Sequence, residues 1–113
     1  MMFLSYENGE VRECCLLLSE TKSHSRFTID EIKIIRSIIA DLKSAPQLSD
    51  APVKYNYNKE SEVIEINYDV IKFICKPVTN RLKPTADKIQ RIKIMNIINI
   101  AFEENIAETG KIN

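Results

Sequence analysis

The sequence predicts an α+β domain: a small antiparallel sheet, built from two hairpins, packed against an amphipathic helix at about 28–44 and a long C-terminal helix at about 85–107. Three patterns carry that expectation. Thr28 followed by Glu31 is a capping box set before isoleucines at helical spacing. Residues 53–57 and 64–68 alternate apolar with polar side chains, the period of a strand. From Thr85 to Ala107 neither proline nor glycine interrupts the chain.

The elements follow in order. Asn8-Gly9, the preferred pair of a two-residue turn, separates the apolar residues 2–6 from 11–18 and predicts the first hairpin. A helix over 10–20 competes with it, because Val11, Cys14, Cys15 and Leu18 fall at i, i+3, i+4 and i+7. The helix at 28–44 turns Ile32, Ile35, Ile38, Ile39 and Leu42 to one side and Asp30, Lys33, Ser37 and Asp41 to the other, and Pro46 closes it off. Val53, Tyr55 and Tyr57 then alternate with Lys54 and Asn56, and Ile64, Ile66 and Tyr68 with Glu65 and Asn67, around a polar turn at 58–62. Residues 69–76 fit a helical face through Val70, Phe73 and Ile74 as well as a strand ending before Pro77. In the C-terminal helix apolar residues cover most of the circumference between Ile94 and Phe102, which assigns that helix to the core or to a second copy of the chain.

A chain of 113 residues fits a single globular domain over 1–113, and 44% hydrophobic content supplies one core without a disulfide or a metal. The N-terminal apolar stretch, Met1 to Leu4, is shorter than a signal peptide requires, and the richest later stretch, 92–102, is broken by Lys93, Asn96 and Asn99. Neither export nor a membrane is indicated. Three cysteines, with Cys14 and Cys15 adjacent, do not form a disulfide framework, and free thiols point to the reducing cytoplasm.

The residues that chemistry would need are sparse. His24 is the single histidine and lies in a polar run, so no base is paired with a cysteine or serine and no zinc-ligand spacing exists. Two glycines leave no phosphate-cradling loop. The chain is therefore expected to be no enzyme and to need no cofactor or metal. Charge is the remaining signal: 16 basic residues balance 16 acidic ones, yet the signs are segregated. Glu60, Glu62, Glu65 and Asp69 gather on the central hairpin, while Lys72, Lys76, Arg81, Lys83, Lys88, Arg91 and Lys93 face only Asp87.

The expected function is a small non-enzymatic binding module of the inhibitor, immunity or antitoxin type, from a bacterium. It would dock to another protein, such as a basic toxin or nuclease, through the acidic face of Glu60, Glu62, Glu65 and Asp69. Self-association through the C-terminal helix is a further expectation. The alternative is an accessory protein that binds nucleic acid through the basic segment 72–93, with Tyr55, Tyr57, Tyr68 and Phe73 as stacking candidates.

Overall fold

A computed structural model of the chain describes residues 1–16, 27–80 and 82–100. Its elements run β1 (Phe3–Tyr6), α1 (Gly9–Leu16), α2 (Ile29–Ser44), β2 (Lys54–Asn58), β3 (Val63–Tyr68), β4 (Ile71–Pro77) and β5 (Arg91–Asn99). Leu48–Asp50 and Ala86–Lys88 add single 3-10 turns. The strands form one five-stranded sheet in the order β1-β5-β4-β3-β2. Only β1 runs parallel to its neighbour β5; the other pairs are antiparallel. The fold is thus α+β with a mixed sheet rather than a purely antiparallel one.

The main helix starts and ends as its sequence dictates. The Thr28 hydroxyl accepts from Glu31 N at 3.2 Å, and the Glu31 carboxylate accepts from Thr28 N at 2.9 Å, so two orphan donors of the first turn are satisfied reciprocally. The second Glu31 oxygen accepts from the Asn99 amide, which ties the start of α2 to the end of β5. Ile32, Ile35, Ile38, Ile39 and Leu42 are all buried. They join Ile64, Ile66, Ile71, Phe73, Cys75, Ile92, Ile94 and Ile97 of the sheet in one core that also takes in Met2, Val11 and Leu48.

The expected hairpin β2–β3 forms, with Tyr55 opposite Ile66 and Tyr57 opposite Ile64. Its turn is closed by Asn58, whose side-chain oxygen accepts from the backbone N–H groups of Glu60 and Ser61 at 3.0 and 3.2 Å. Of residues 69–76, for which strand and helix compete in the sequence, those from Ile71 onward belong to the strand β4, which runs through Pro77. A two-residue turn at Asp69 and Val70 leads into it, with Asp69 in the left-handed region at φ 55°, a conformation that a short polar side chain tolerates.

Two expectations are corrected. The first hairpin does not form: residues 9–16 are the helix α1, and Asn8 is its N-cap, accepting from Val11 N at 3.0 Å through its side chain and from Arg12 N at 3.1 Å through its carbonyl. Asparagine serves turns and helix caps equally well, so the pair Asn-Gly carries two meanings. The long helix expected at about 85–107 is also absent over its described part, where residues 91–99 form β5. Isoleucine is β-branched and favours the strand. Its helical look comes from a β-bulge: Ile74 pairs with Asn96 and Cys75 with Ile94, so Met95 is an extra residue and the inward side chains fall at 92, 94 and 97. That three-residue step imitates a helix. The remainder of the expected helix, 101–107, lies outside the described residues.

Two variants test these assignments. At Gly9 an added Cβ would meet nothing within 4 Å and φ is not positive, so Gly9→Ala raises stability by ~0.4–1 kcal/mol in a urea titration; a hairpin turn there would make the same change destabilising. Ile35→Ala, at a fully buried position, lowers stability by ~2–5 kcal/mol, while the exposed Lys33→Ala stays within ~0.5 kcal/mol.

Candidate functional site

Successive side chains of a strand point to opposite faces of the sheet. With Ile64, Ile66, Ile71, Phe73, Cys75, Ile92, Ile94 and Ile97 under the helices, the outward positions of the inner strands are Val63, Glu65 and Asn67 on β3, Lys72, Ile74 and Lys76 on β4, and Arg91, Lys93, Asn96 and Ile98 on β5. None of these outward residues is buried, so no described element covers this face. The edge strands add Lys54 and Asn56 from β2, and Phe3 and Ser5 from β1.

The outer face has an aliphatic middle and a basic border. Ile74 and Ile98 are half-buried and lie in neighbouring rows of the sheet, with Val63 beyond Lys76. Around them stand Lys54, Lys72, Lys76, Lys93 and Arg91, against the carboxylates of Glu65 on β3 and of Glu7 just beyond β1. Lys76 and Lys93 are register partners, directly opposite across an antiparallel pair. Like charges so placed repel, with Cβ atoms ~4.5–5.5 Å apart. Glu7 relieves part of this by pairing with Lys93 at 3.1 Å, and Glu65 reaches Lys72 at 3.8 Å. At the rim the Arg91 guanidinium lies 5.0 Å from the centre of the Phe3 ring, which is itself 58% exposed.

The basic segment read from the sequence is thus partly brought together. Lys72, Lys76, Arg91 and Lys93 share the outer face. Lys88 sits on the turn Ala86–Lys88 at the same end of the sheet, where it lines a shallow pocket of about 380 Å³ with Val78, Thr79, Asn80, Gln90 and Arg91. Lys83 is elsewhere, paired with Glu60 at 2.7 Å. Arg81 lies outside the described residues. Asp87, the lone acid of the segment, accepts from the Thr85 hydroxyl, and that bond above all holds its carboxyl below the ordinary value.

The four acids of the central hairpin are scattered. Glu60 and Glu62 stand in the β2–β3 turn, Glu65 faces outward from the middle of β3, and Asp69 occupies the turn at its far end, ~20 Å away at ~3.3 Å per residue. Glu60 and Glu65 are already paired with lysines.

Of the aromatic candidates for stacking, Tyr68 at the end of β3 is exposed, and the other three face the core. Phe73 is fully buried, and Tyr55 and Tyr57 pack partly against the core. Tyr57 donates to the Pro84 carbonyl at 2.6 Å, and burial first, then the charge of Glu62, raises its pKa. Of the groups considered for catalysis, His24 lies outside the described residues and Cys14 and Cys15 belong to α1 rather than to a strand. Cys75 is buried in the core on β4. Among the described residues no group of three or more His, Cys, Asp or Glu could hold a metal, and no helix is long and apolar enough to cross a membrane. The self-association surface expected on a C-terminal helix is, over Arg91–Asn99, a strand, paired with β4 along most of its length and with β1 over Arg91–Ile94.

Sequence reasoning missed Phe3, Lys54, Val63, Ile74 and Ile98 as parts of one surface. The signal was the alternation at 71–77 and 91–94, whose inward set is apolar and whose outward set holds Lys72, Lys76, Arg91 and Lys93.

Replacing Lys76 by glutamate turns a repulsive cross-strand pair into an attractive one. Lys76→Glu raises the denaturation midpoint by the equivalent of ~0.2–1 kcal/mol at low salt, and the gain shrinks as ionic strength increases. An unchanged or lower midpoint contradicts the register of β4 and β5.

No protein-family model, no curated protein and no solved structure matches the chain, so its site is read from its own residues.

Proposed function

We propose that the chain is a non-enzymatic binding module, of the inhibitor, immunity or antitoxin kind, that docks another protein on the outer face of its sheet. The observation that carries the reading is the arrangement of that face: an aliphatic centre, Ile74 and Ile98, ringed by Lys54, Lys72, Lys76, Lys93 and Arg91. Protein interfaces have this anatomy, an apolar centre that is desolvated on binding and a charged rim that stays wet and steers encounter. The rim is basic, so the partner presents an acidic surface. This moves the docking surface from the hairpin acids, which are dispersed, to the opposite sign of charge. The Lys76–Lys93 juxtaposition fits a surface kept for binding rather than for stability.

The same cations favour a second reading. Arg91 over the exposed Phe3 ring, with Lys76 and Lys93 alongside, offers a phosphate backbone cations and one base a stacking surface. Phe3 is the one outward aromatic among the described strands, and the rest of the face offers aliphatic side chains where stacking platforms carry rings. Protein docking is preferred for that reason.

Capture from the native host separates the two. With Lys72→Glu and Lys76→Glu combined, the protein co-purified by the tagged chain falls at least tenfold, an effect of ~1.4 kcal/mol, whereas Glu60→Lys with Glu62→Lys retains it. Nuclease treatment leaves the capture intact. Binding to DNA at physiological salt, falling with a log–log salt slope of about −0.9 per phosphate neutralised, would instead establish the nucleic-acid reading.

A further inference from the structure

The pocket at the end of the sheet has a chemistry of its own. Among the described residues its lining, Val78, Thr79, Asn80, Lys88, Gln90 and Arg91, contains two cations and no carboxylate. It opens between the end of β4 and the start of β5, which are held together there by the hydrogen bond from Val78 N to the Arg91 carbonyl at 2.9 Å. Lys76 and Lys93 stand two residues away on the same strands, facing each other across the register, so the positive charge of the pocket continues onto the sheet. Lys88 lies beside Asp87, whose carboxylate feels the lysine charge but accepts first from the Thr85 hydroxyl, so the two cations of the pocket face one neighbouring acid already engaged in a hydrogen bond. Like charges gathered at one end of a sheet favour an anion placed among them.

We infer that this pocket is a binding site for a phosphate group, held between Lys88 and Arg91 with the Asn80 and Gln90 side-chain amides as further donors. A phosphate monoester carries ~1.5–2 negative charges near neutral pH and matches two cations, where a carboxylate would match one. The arginine fork supplies two parallel donors to such an oxyanion, and lysine a point charge. The pocket volume of about 380 Å³ exceeds what a bare phosphate fills, and Val78 gives part of the wall an apolar surface that a nucleoside could cover. Free phosphate and a nucleotide share the chemistry that this site recognises.

This site does not rest on the docking reading, since it needs only the chain and a small anion. The test is a titration of the full chain, followed by amide resonances in a two-dimensional NMR spectrum at constant ionic strength, first with inorganic phosphate and then with adenosine monophosphate. Saturable shifts at Thr79, Asn80, Gln90 and Arg91 are expected. Lys88→Gln and Arg91→Gln each weaken binding roughly tenfold or more, and Lys54→Gln, at the far edge of the sheet, leaves it unchanged. Tighter binding of adenosine monophosphate, with shifts extending to Val78 and Phe3, identifies a nucleotide; equal binding identifies phosphate itself. Lys88 is exposed on a short turn, so its replacement decides the matter even if Arg91→Gln disturbs the strand. Absence of saturable shifts with both probes, or shifts of equal strength in the Lys88→Gln variant, would overturn the assignment.

Discussion

Because a strand turns alternate side chains to opposite faces, burying the isoleucines of β3, β4 and β5 beneath α2 commits every intervening residue to the other side. The register is pinned by that burial. A slip by one residue would carry Ile64, Ile66, Ile71, Phe73 and Cys75 into solvent and Lys72 and Lys76 into the core, an exchange of many kcal/mol against the ~5–15 kcal/mol that holds a domain folded. The outer face is a consequence of how the inner face is packed. Its residues were free to be charged, and the sheet gathers onto one surface lysines that are spread along the chain.

The electrostatics of that surface follow from exposure. The ion pairs Glu7–Lys93, Glu60–Lys83 and Glu65–Lys72 join partly or largely exposed side chains, and pairs of this kind add little to stability, ~0–1 kcal/mol each. They shape the field more than they hold the fold. Glu7 and Glu65 temper Lys93 and Lys72 and Asp87 lies beside Lys88, while Lys76 has no ion pair among the described residues. A chain with no net charge thus carries a locally positive face and end.

Much of the scaffold is legible in the amino-acid sequence. The capping box at Thr28, the isoleucine stripe of α2 and the β2–β3 hairpin each rest on a local pattern with one dominant reading, and each is present. Two segments mislead for definite reasons. At Asn8-Gly9 the same residues suit a turn and a helix cap, and the choice depends on where Val11 is buried, a tertiary matter. At 91–99 the bulge at Met95 shifts the strand period by one and imitates helical spacing. The candidate surface is less legible than the fold. Charge segregation along the chain finds Lys72, Lys76, Arg91 and Lys93, but groups Lys83 with them although it lies against Glu60. It also assembles Glu60, Glu62, Glu65 and Asp69 into a face that β3 divides between its two ends. Adjacency in sequence becomes adjacency on a surface only when register and parity are known.

That a macromolecule sits on the outer sheet face is tested most directly by site-specific photocrosslinking in the native host. Asn96 is exposed on β5 in the outer face, and Lys33 is exposed on α2 on the other side of the core. A photoreactive residue at Asn96 forms a discrete crosslink to one protein, and the crosslink disappears when Lys72 and Lys76 are replaced by glutamate. The same residue at Lys33 forms none. A crosslink from position 33 in the absence of one from position 96, or no crosslink from position 96 under conditions where the partner co-purifies, would contradict docking on this face.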